Sequence, residues 1–112
     1  MRAITVVLAM GLAAMAHAAA AAEPASGEAV WKRWCVHCHS TGRGNPGTES
    51  LQVKYKGAKP AALLDRTDMT PDFIRISLRQ GVLSMPAFRK TEITDAELSA
   101  LATWLASSGG KR

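Results

Sequence analysis

The chain has 112 residues, 47% of them hydrophobic, and a formal net charge of +5 at pH 7. This length fits one small domain, whose limited core usually needs a disulfide, a metal or a large cofactor as a staple. The basic residues are scattered among acidic ones, which disfavours nucleic-acid binding and suits docking to an acidic protein surface.

The N-terminus has the pattern of a secretory signal peptide. A positively charged start precedes the uncharged apolar run 3–16, and small residues follow where signal peptidase cleaves. The run is shorter than the roughly 20 residues of a membrane span, although an uncleaved anchor is the alternative. We expect a signal peptide at 1–22, cleaved after Ala18 or Ala22, and export of the domain 23–112 to a bacterial periplasm.

The first predicted helix begins after Ser26, a favourable N-cap, and runs from Gly27 into a cysteine motif. Val30, Trp31 and Trp34 recur at helical spacing along it, so one face is expected to be buried.

The motif is Cys35-Val36-His37-Cys38-His39, a Cys-x-x-Cys-His sequence of the kind that attaches c-type haem. Its spacing places the two cysteines about one helical turn apart, so both thiols can form thioethers to one porphyrin. His39 follows directly and is expected to bind the iron. Cys35 and Cys38 are therefore the predicted covalent attachment sites.

Three other uses of the motif are less consistent with the sequence. A thioredoxin-type redox site would be expected near a strand-helix-strand pattern, and no strand-rich stretch precedes Cys35. A zinc site needs four ligands from separated pairs. A structural disulfide is possible but leaves the following histidine unexplained.

The middle of the chain is rich in turn residues. Residues 40–57 are expected to be irregular, with the run 41–48 looping around a haem edge. Pro60 is expected to start a short helix over 60–66, because proline is favoured at the first helical position.

The next helix is marked at both ends. Thr70 is a good N-cap, Pro71 occupies the first helical position, and Gly81 follows where a helix commonly stops. Met69 precedes the cap and is expected to pack on Ile74 as a hydrophobic staple.

The last helix is predicted from a Thr-x-x-Glu capping box at Thr94 and Glu97, with Ile93 and Leu98 as its staple. A buried stripe should follow, and Ser107 to Gly110 should end the helix. The residues of that stripe are Leu98, Leu101, Trp104 and Leu105.

A low-spin haem needs a second axial ligand. His37 is held between the two cysteines and cannot reach the opposite haem face, so methionine remains, as Met69 or Met85. Met85 lies in an irregular segment beside Pro86, where a loop can bring its thioether over the iron. Met85 is therefore the predicted ligand opposite His39, since Met/His ligation is common in cytochromes c.

These features resemble the class I cytochrome c family across the sequence that follows the signal peptide. The resemblance rests on the haem motif, on Met85-Pro86 and on Gly27, Trp31 and Trp104. It implies an all-α small cytochrome c fold, with about three to five short helices around one covalent haem c. It also implies that Gly27 lets the last helix cross closely beside two packed tryptophans, and that the Pro46 carbonyl accepts a hydrogen bond from His39.

A narrower resemblance is to the small cytochrome subunit of p-cresol methylhydroxylase-type flavocytochromes. It rests on Arg79-Gln80-Gly81, Met85 to Phe88 and Thr94 to Leu98, whereas the insert 55–68 is longer than expected. It implies an electron carrier, not an enzyme, that works with a flavin- or quinone-dependent dehydrogenase as donor. The acceptor would be another cytochrome, a cupredoxin or an oxidase. There are two alternatives to such a subunit. One is a freely diffusing electron shuttle, and the other is a haem enzyme or ligand sensor in which Met85 is a labile ligand.

Overall fold

The computed structural model describes residues 22–108. The predicted signal peptide lies almost wholly outside the described residues, so it stays a prediction. Five α-helices form the described part: α1 (Gly27–Trp34), α2 (Val36–His39), α3 (Pro46–Tyr55), α4 (Pro71–Gln80) and α5 (Asp95–Ser108), with a 3₁₀ turn at Leu63–Asp65.

The predicted all-α class is confirmed. Within residues 22–108 the only β pairing is an isolated antiparallel bridge between Val82 and Met85. Of the helices in this range, none is long and apolar enough to cross a membrane.

The predicted helix caps form as hydrogen bonds. The Ser26 hydroxyl accepts from the Ala29 N–H at 3.2 Å, and the Thr70 hydroxyl accepts from the Phe73 N–H at 3.1 Å. Each of these bonds satisfies one of the backbone donors that a helix start leaves free.

The capping box of α5 is complete. The Thr94 N–H donates to Glu97 Oε2 at 2.8 Å, and the Glu97 N–H donates to Thr94 Oγ1 at 3.2 Å. Both neighbouring staple residues, Ile93 and Leu98, are buried. The start of α5 is thus defined by local sequence.

Helices α1, α4 and α5 supply most of the core. The buried apolar side chains are Val30, Trp31, Met69, Ile74, Leu78, Ile93, Leu98, Leu101, Ala102 and Leu105. The predicted stripe of α5 is confirmed, with Trp104 half-buried at its edge.

The crossing of α1 and α5 is as close as the sequence indicated. A Cβ placed on Gly27 would lie 2.9 Å from the Ala100 carbonyl carbon, and it would lie closer still to Ala100 O and Trp104 Cβ. Beside this contact the Trp31 and Trp104 rings pack with centroids 6.0 Å apart at 43°. Only glycine lets the two helices approach this far.

The middle of the chain differs from the prediction, because residues 46–55 form α3. The turn chemistry is confined to residues 41–45, where Asn45 Nδ2 donates to Thr41 O and Gly42 O. Pro46 then takes the first helical position, a role in which proline is as favourable as in a turn.

The helix predicted over 60–66 is also wrong, since only Leu63–Asp65 forms a 3₁₀ turn. The flanking residues Ala62 and Arg66 are both extended, with ψ of 120° and 140°. Arg66 turns its side chain inward to Tyr55 and Asp68. Pairing with Tyr55, 11 residues earlier, and with Asp68 outweighs the weak local preference for a helix.

Candidate functional site

The single turn α2 places His39 half-buried beneath the start of α3. Its Nδ1 is buried and has no hydrogen-bond partner in the structure. Burial lowers the pKa of His39, which favours the neutral imidazole that binds metals. The side chain therefore has the protonation state that the predicted iron ligand requires.

Gly47 packs directly on this imidazole. A Cβ at Gly47 would lie 2.7 Å from His39 Cε1 and 2.9 Å from His39 Nδ1. The first turn of α3 can approach the ring only because this residue has no side chain. Sequence reasoning missed this contact, because Asn45-Pro46-Gly47 is indistinguishable from a plain turn until α3 is known.

His39 Nδ1 makes no hydrogen bond in this structure, so the hydrogen bond from His39 to the Pro46 carbonyl stays a prediction for the haem-loaded protein. Pro46 is the first residue of α3, where the carbonyl serves the helix's own i to i+4 ladder. Gly47, the next residue of α3, packs against the ring.

Both cysteines are free thiols of the same turn, Cys35 as the N-cap of α2 and Cys38 within it. Cys38 is exposed, whereas Cys35 is half-buried beside α1. Burial, with a smaller effect from Cys38, raises the pKa of the Cys35 thiol to about 12. Since the thiolate is the reactive form, folding leaves Cys35 protonated and poorly reactive at neutral pH.

A cavity of about 140 Å³ opens beside His39. Its walls come from all helices except α1, and they are mostly apolar. They include His39, Leu51, Met69, Phe73, Ile74, Leu78 and Met85. The structure thus brings the predicted ligands His39 and Met85 to one cavity, although they are distant in the sequence.

Met85 reaches this wall from a tight two-residue turn. The Val82 N–H donates to Met85 O at 3.1 Å, and the Met85 N–H donates to Val82 O at 2.9 Å. Leu83 at the tip has a φ of 53° and is 92% exposed. Met69 also lines the cavity but is only 7% exposed within the core, as its predicted staple role requires.

A cationic cluster lies on another part of the wall. Arg66, only 6% exposed, donates from Nε and Nη2 to the Asp68 carboxylate at 2.7 Å each, and from Nη1 to Tyr55 Oη at 2.8 Å. Lys59 Nζ also lies 3.1 Å from Asp68 Oδ2. The Arg66 and Lys59 hydrogen bonds hold the pKa of Asp68 well below its usual range.

Arg66, Tyr55 and Lys54 all line the cavity, so its wall carries more positive than negative charge. The cluster joins the two ends of the insert 55–68, which carried no functional signal in the sequence.

These residues fit a c-type haem. The cavity is mostly apolar, His39 and the Met85 thioether lie on its walls, and the turn that carries His39 also carries two free thiols. Fold and site together define a small helical c-type cytochrome.

The sequence profile of the family described as cytochrome c oxidase, cbb3-type, subunit III matches residues 22–105. The chain belongs to this family, and it is a monohaem class I cytochrome c with haem c as its cofactor. No curated protein matches the chain significantly.

Two solved structures are similar to the chain. OmcF, an outer-membrane cytochrome F from Geobacter sulfurreducens, is 17% identical with a TM-score of 0.49, over 75% of this chain and 99% of that one. A histidine-to-isoleucine variant of OmcF is 18% identical with a TM-score of 0.47, over 76% of this chain and 96% of that one.

Proposed function

We propose that this protein is an exported, periplasmic electron carrier. The observation that carries this proposal is the placement of His39 and Met85 on the walls of one cavity in a c-type cytochrome. Bound haem c supplies the one-electron chemistry through Fe(III)/Fe(II) cycling.

The chain's own residues divide the remaining work. Cys35 and Cys38 would hold the haem covalently, and His39 and Met85 would bind its iron. Gly47 fixes the plane of the imidazole by direct contact. With both of these side chains bound to the iron, oxygen and peroxide would find no open coordination position, which favours a carrier over an enzyme.

Replacing each methionine of the cavity wall tests this assignment. Met85→Ala should abolish the weak absorption band at the red end of the oxidised spectrum and lower the reduction potential, because the thioether ligand is lost. Met69→Ala is the matched control, since it removes a thioether from the same cavity wall but should keep the band.

Spectra of the purified, haem-loaded proteins would decide between the two methionines. A band that survives in Met85→Ala and disappears in Met69→Ala would contradict the assignment. Carbon monoxide added to the reduced wild type should cause no prompt spectral change. A prompt change would indicate a labile sixth position and hence a sensor or enzyme.

The proposed donor is a flavin- or quinone-dependent dehydrogenase, and the proposed acceptor is another cytochrome, a cupredoxin or an oxidase. The domain 23–112 has 13 Lys and Arg against 9 Asp and Glu, a formal charge of +4, which supports docking to acidic partners. The narrower flavocytochrome resemblance supports a role as a subunit of a flavin-dependent alkylphenol hydroxylase. Co-purification of a flavoprotein with the tagged chain would support that subunit role, and a chain purified alone would favour a free shuttle.

A further inference from the structure

The segment 81–88, which carries Met85, folds back on the end of α4. Gly81 has a φ of 75°, and a Cβ there would lie 2.8 Å from Met85 O and 3.0 Å from Ala87 N. The backbone around Met85 therefore rests on a glycine at the C-cap of α4. The position of the Met85 side chain depends on this segment staying closed.

Phe88 is the far anchor of the segment. Its N–H donates to Leu78 O at 2.8 Å, on the last turn of α4. Its ring packs edge-on against Trp34, with centroids 5.7 Å apart at 74°. Because Trp34 directly precedes Cys35, this contact joins the Met85 segment to the haem attachment motif.

Arg79 binds the backbone carbonyl of Phe88. Its Nη1 donates to Phe88 O at 3.0 Å, and its Nη2 donates to Ile93 O at 2.9 Å and to Asp95 Oδ1 at 2.8 Å. The side chain is 23% exposed. One planar guanidinium thus ties the end of α4, the end of the segment and the start of α5 in a fixed geometry.

We propose that Arg79 is a positioning residue for Met85, acting through Phe88. This inference rests on the proposed ligation by Met85. An external ligand that replaces Met85 requires the segment 81–88 to open, and the Arg79–Phe88 bond exists only in the closed form. Without Arg79 the open fraction rises, and the apparent affinity for an external ligand rises by the same factor.

Imidazole titration of the oxidised, haem-loaded protein measures this opening, with the red-end absorption band as the signal. Arg79→Met should bind imidazole about tenfold more tightly than the wild type, because a charge-assisted hydrogen bond to Phe88 is lost. Arg75→Met is the matched control. It lies on the same helix, its charge pairs with Asp72 at 2.9 Å, and its imidazole affinity should equal that of the wild type.

A second control separates positioning from general destabilisation. Ser26→Ala removes the N-cap of α1, at the opposite end of that helix from Trp34, and lowers global stability. Its imidazole affinity should stay within twofold of the wild type. An equal rise in Ser26→Ala and Arg79→Met would overturn the proposal.

These experiments distinguish a failure of the proposed Met85 ligation from a failure of the proposed role of Arg79. If Met85→Ala keeps the red-end band, the ligation itself is wrong. If Met85→Ala loses the band but Arg79→Met binds imidazole like the wild type, only the role of Arg79 is wrong. Should Arg79→Met not accumulate, Arg79→Lys replaces it, because one ammonium cannot reproduce the planar fork. The imidazole affinity of Arg79→Lys should lie between those of the wild type and Arg79→Met. An affinity equal to that of the wild type would overturn the proposal.

Discussion

Replacing Gly27 by alanine tests the closest helix contact in the protein. The added methyl carbon would lie 2.9 Å from the Ala100 carbonyl carbon, with Ala100 O and Trp104 Cβ closer still. Carbon atoms in good contact are about 3.5–4.0 Å apart, so α1 and α5 would have to separate by at least about 0.6 Å. Backbone atoms of Ala100 cannot move aside as a flexible side chain can.

The expected cost follows from that separation. Overpacking of a tight core contact costs about 1–3 kcal/mol, and a gap of 0.5–1 Å forfeits roughly a quarter to a half of each dispersion contact along the interface. Alanine returns at most about 1 kcal/mol of helix propensity, and less at the first residue of α1. Gly27→Ala should therefore lower the free energy of unfolding by about 1–3 kcal/mol, or Tm by roughly 4–20 °C.

Urea unfolding of the haem-loaded protein, followed by circular dichroism, measures this change. Ala29→Leu is the control, because Ala29 is exposed on the same helix and should change the stability by less than about 0.5 kcal/mol. A Gly27→Ala midpoint at or above that of the wild type would refute the reasoning, since helix propensity would then outweigh the contact between α1 and α5.

Two further predictions concern local hydrogen bonds. Thr94→Ala should lower the free energy of unfolding by about 1 kcal/mol, because it removes the hydroxyl that caps the Glu97 N–H. Thr94→Ser keeps a hydroxyl, so its urea midpoint should lie above that of Thr94→Ala. Equal midpoints would contradict the role of the cap. Pairing with Arg66 lowers the pKa of Asp68 in the folded state. The stability that this pair adds to the protein should therefore be complete above about pH 4 and fade below it. Asp68→Asn should remove this part of the acid dependence in urea midpoints at pH 5 and pH 3, and an unchanged dependence would show that the pair adds no stability.

The helix boundaries could be predicted wherever a short-range cap defines them. Ser26, Thr70 and Thr94 each accept a hydrogen bond from the backbone N–H three residues later. Such contacts depend only on residues close in sequence, so the pattern alone identifies them. The same holds for the α5 stripe, whose apolar residues repeat at helical spacing.

Helix α3 could not be predicted in this way, because tertiary contacts fix it. Thr48 is buried and donates from Oγ1 to Ser40 O at 2.8 Å, while Gly47 packs on His39. The side chain of Val53 is 75% exposed, so the helix presents no clear apolar stripe. Its turn-like first residues take helical geometry only once they meet the haem motif.

The Arg66 cluster was equally hidden from sequence reasoning. Tyr55 and Arg66 are 11 residues apart, and neither belongs to a recognisable motif. A buried guanidinium needs hydrogen-bond partners, but the sequence does not say that Arg66 is buried. The residues proposed to bind the haem covalently are thus readable from a local motif, whereas those that shape the cavity are not.

Helix α1 links the stability of the core to the geometry of the site. Trp31 packs on Trp104 at the crossing with α5, and Trp34, almost one turn later, packs on Phe88 beyond Met85. Any shift of α1 that makes room for a larger side chain at position 27 therefore also moves Trp34, on which Phe88 packs. Gly27→Ala should loosen both contacts together, whereas Arg79→Met should loosen the Met85 segment and leave the tryptophan pair in place. Comparing imidazole affinity with global stability in these two variants separates a fold defect from a defect confined to the ligand loop.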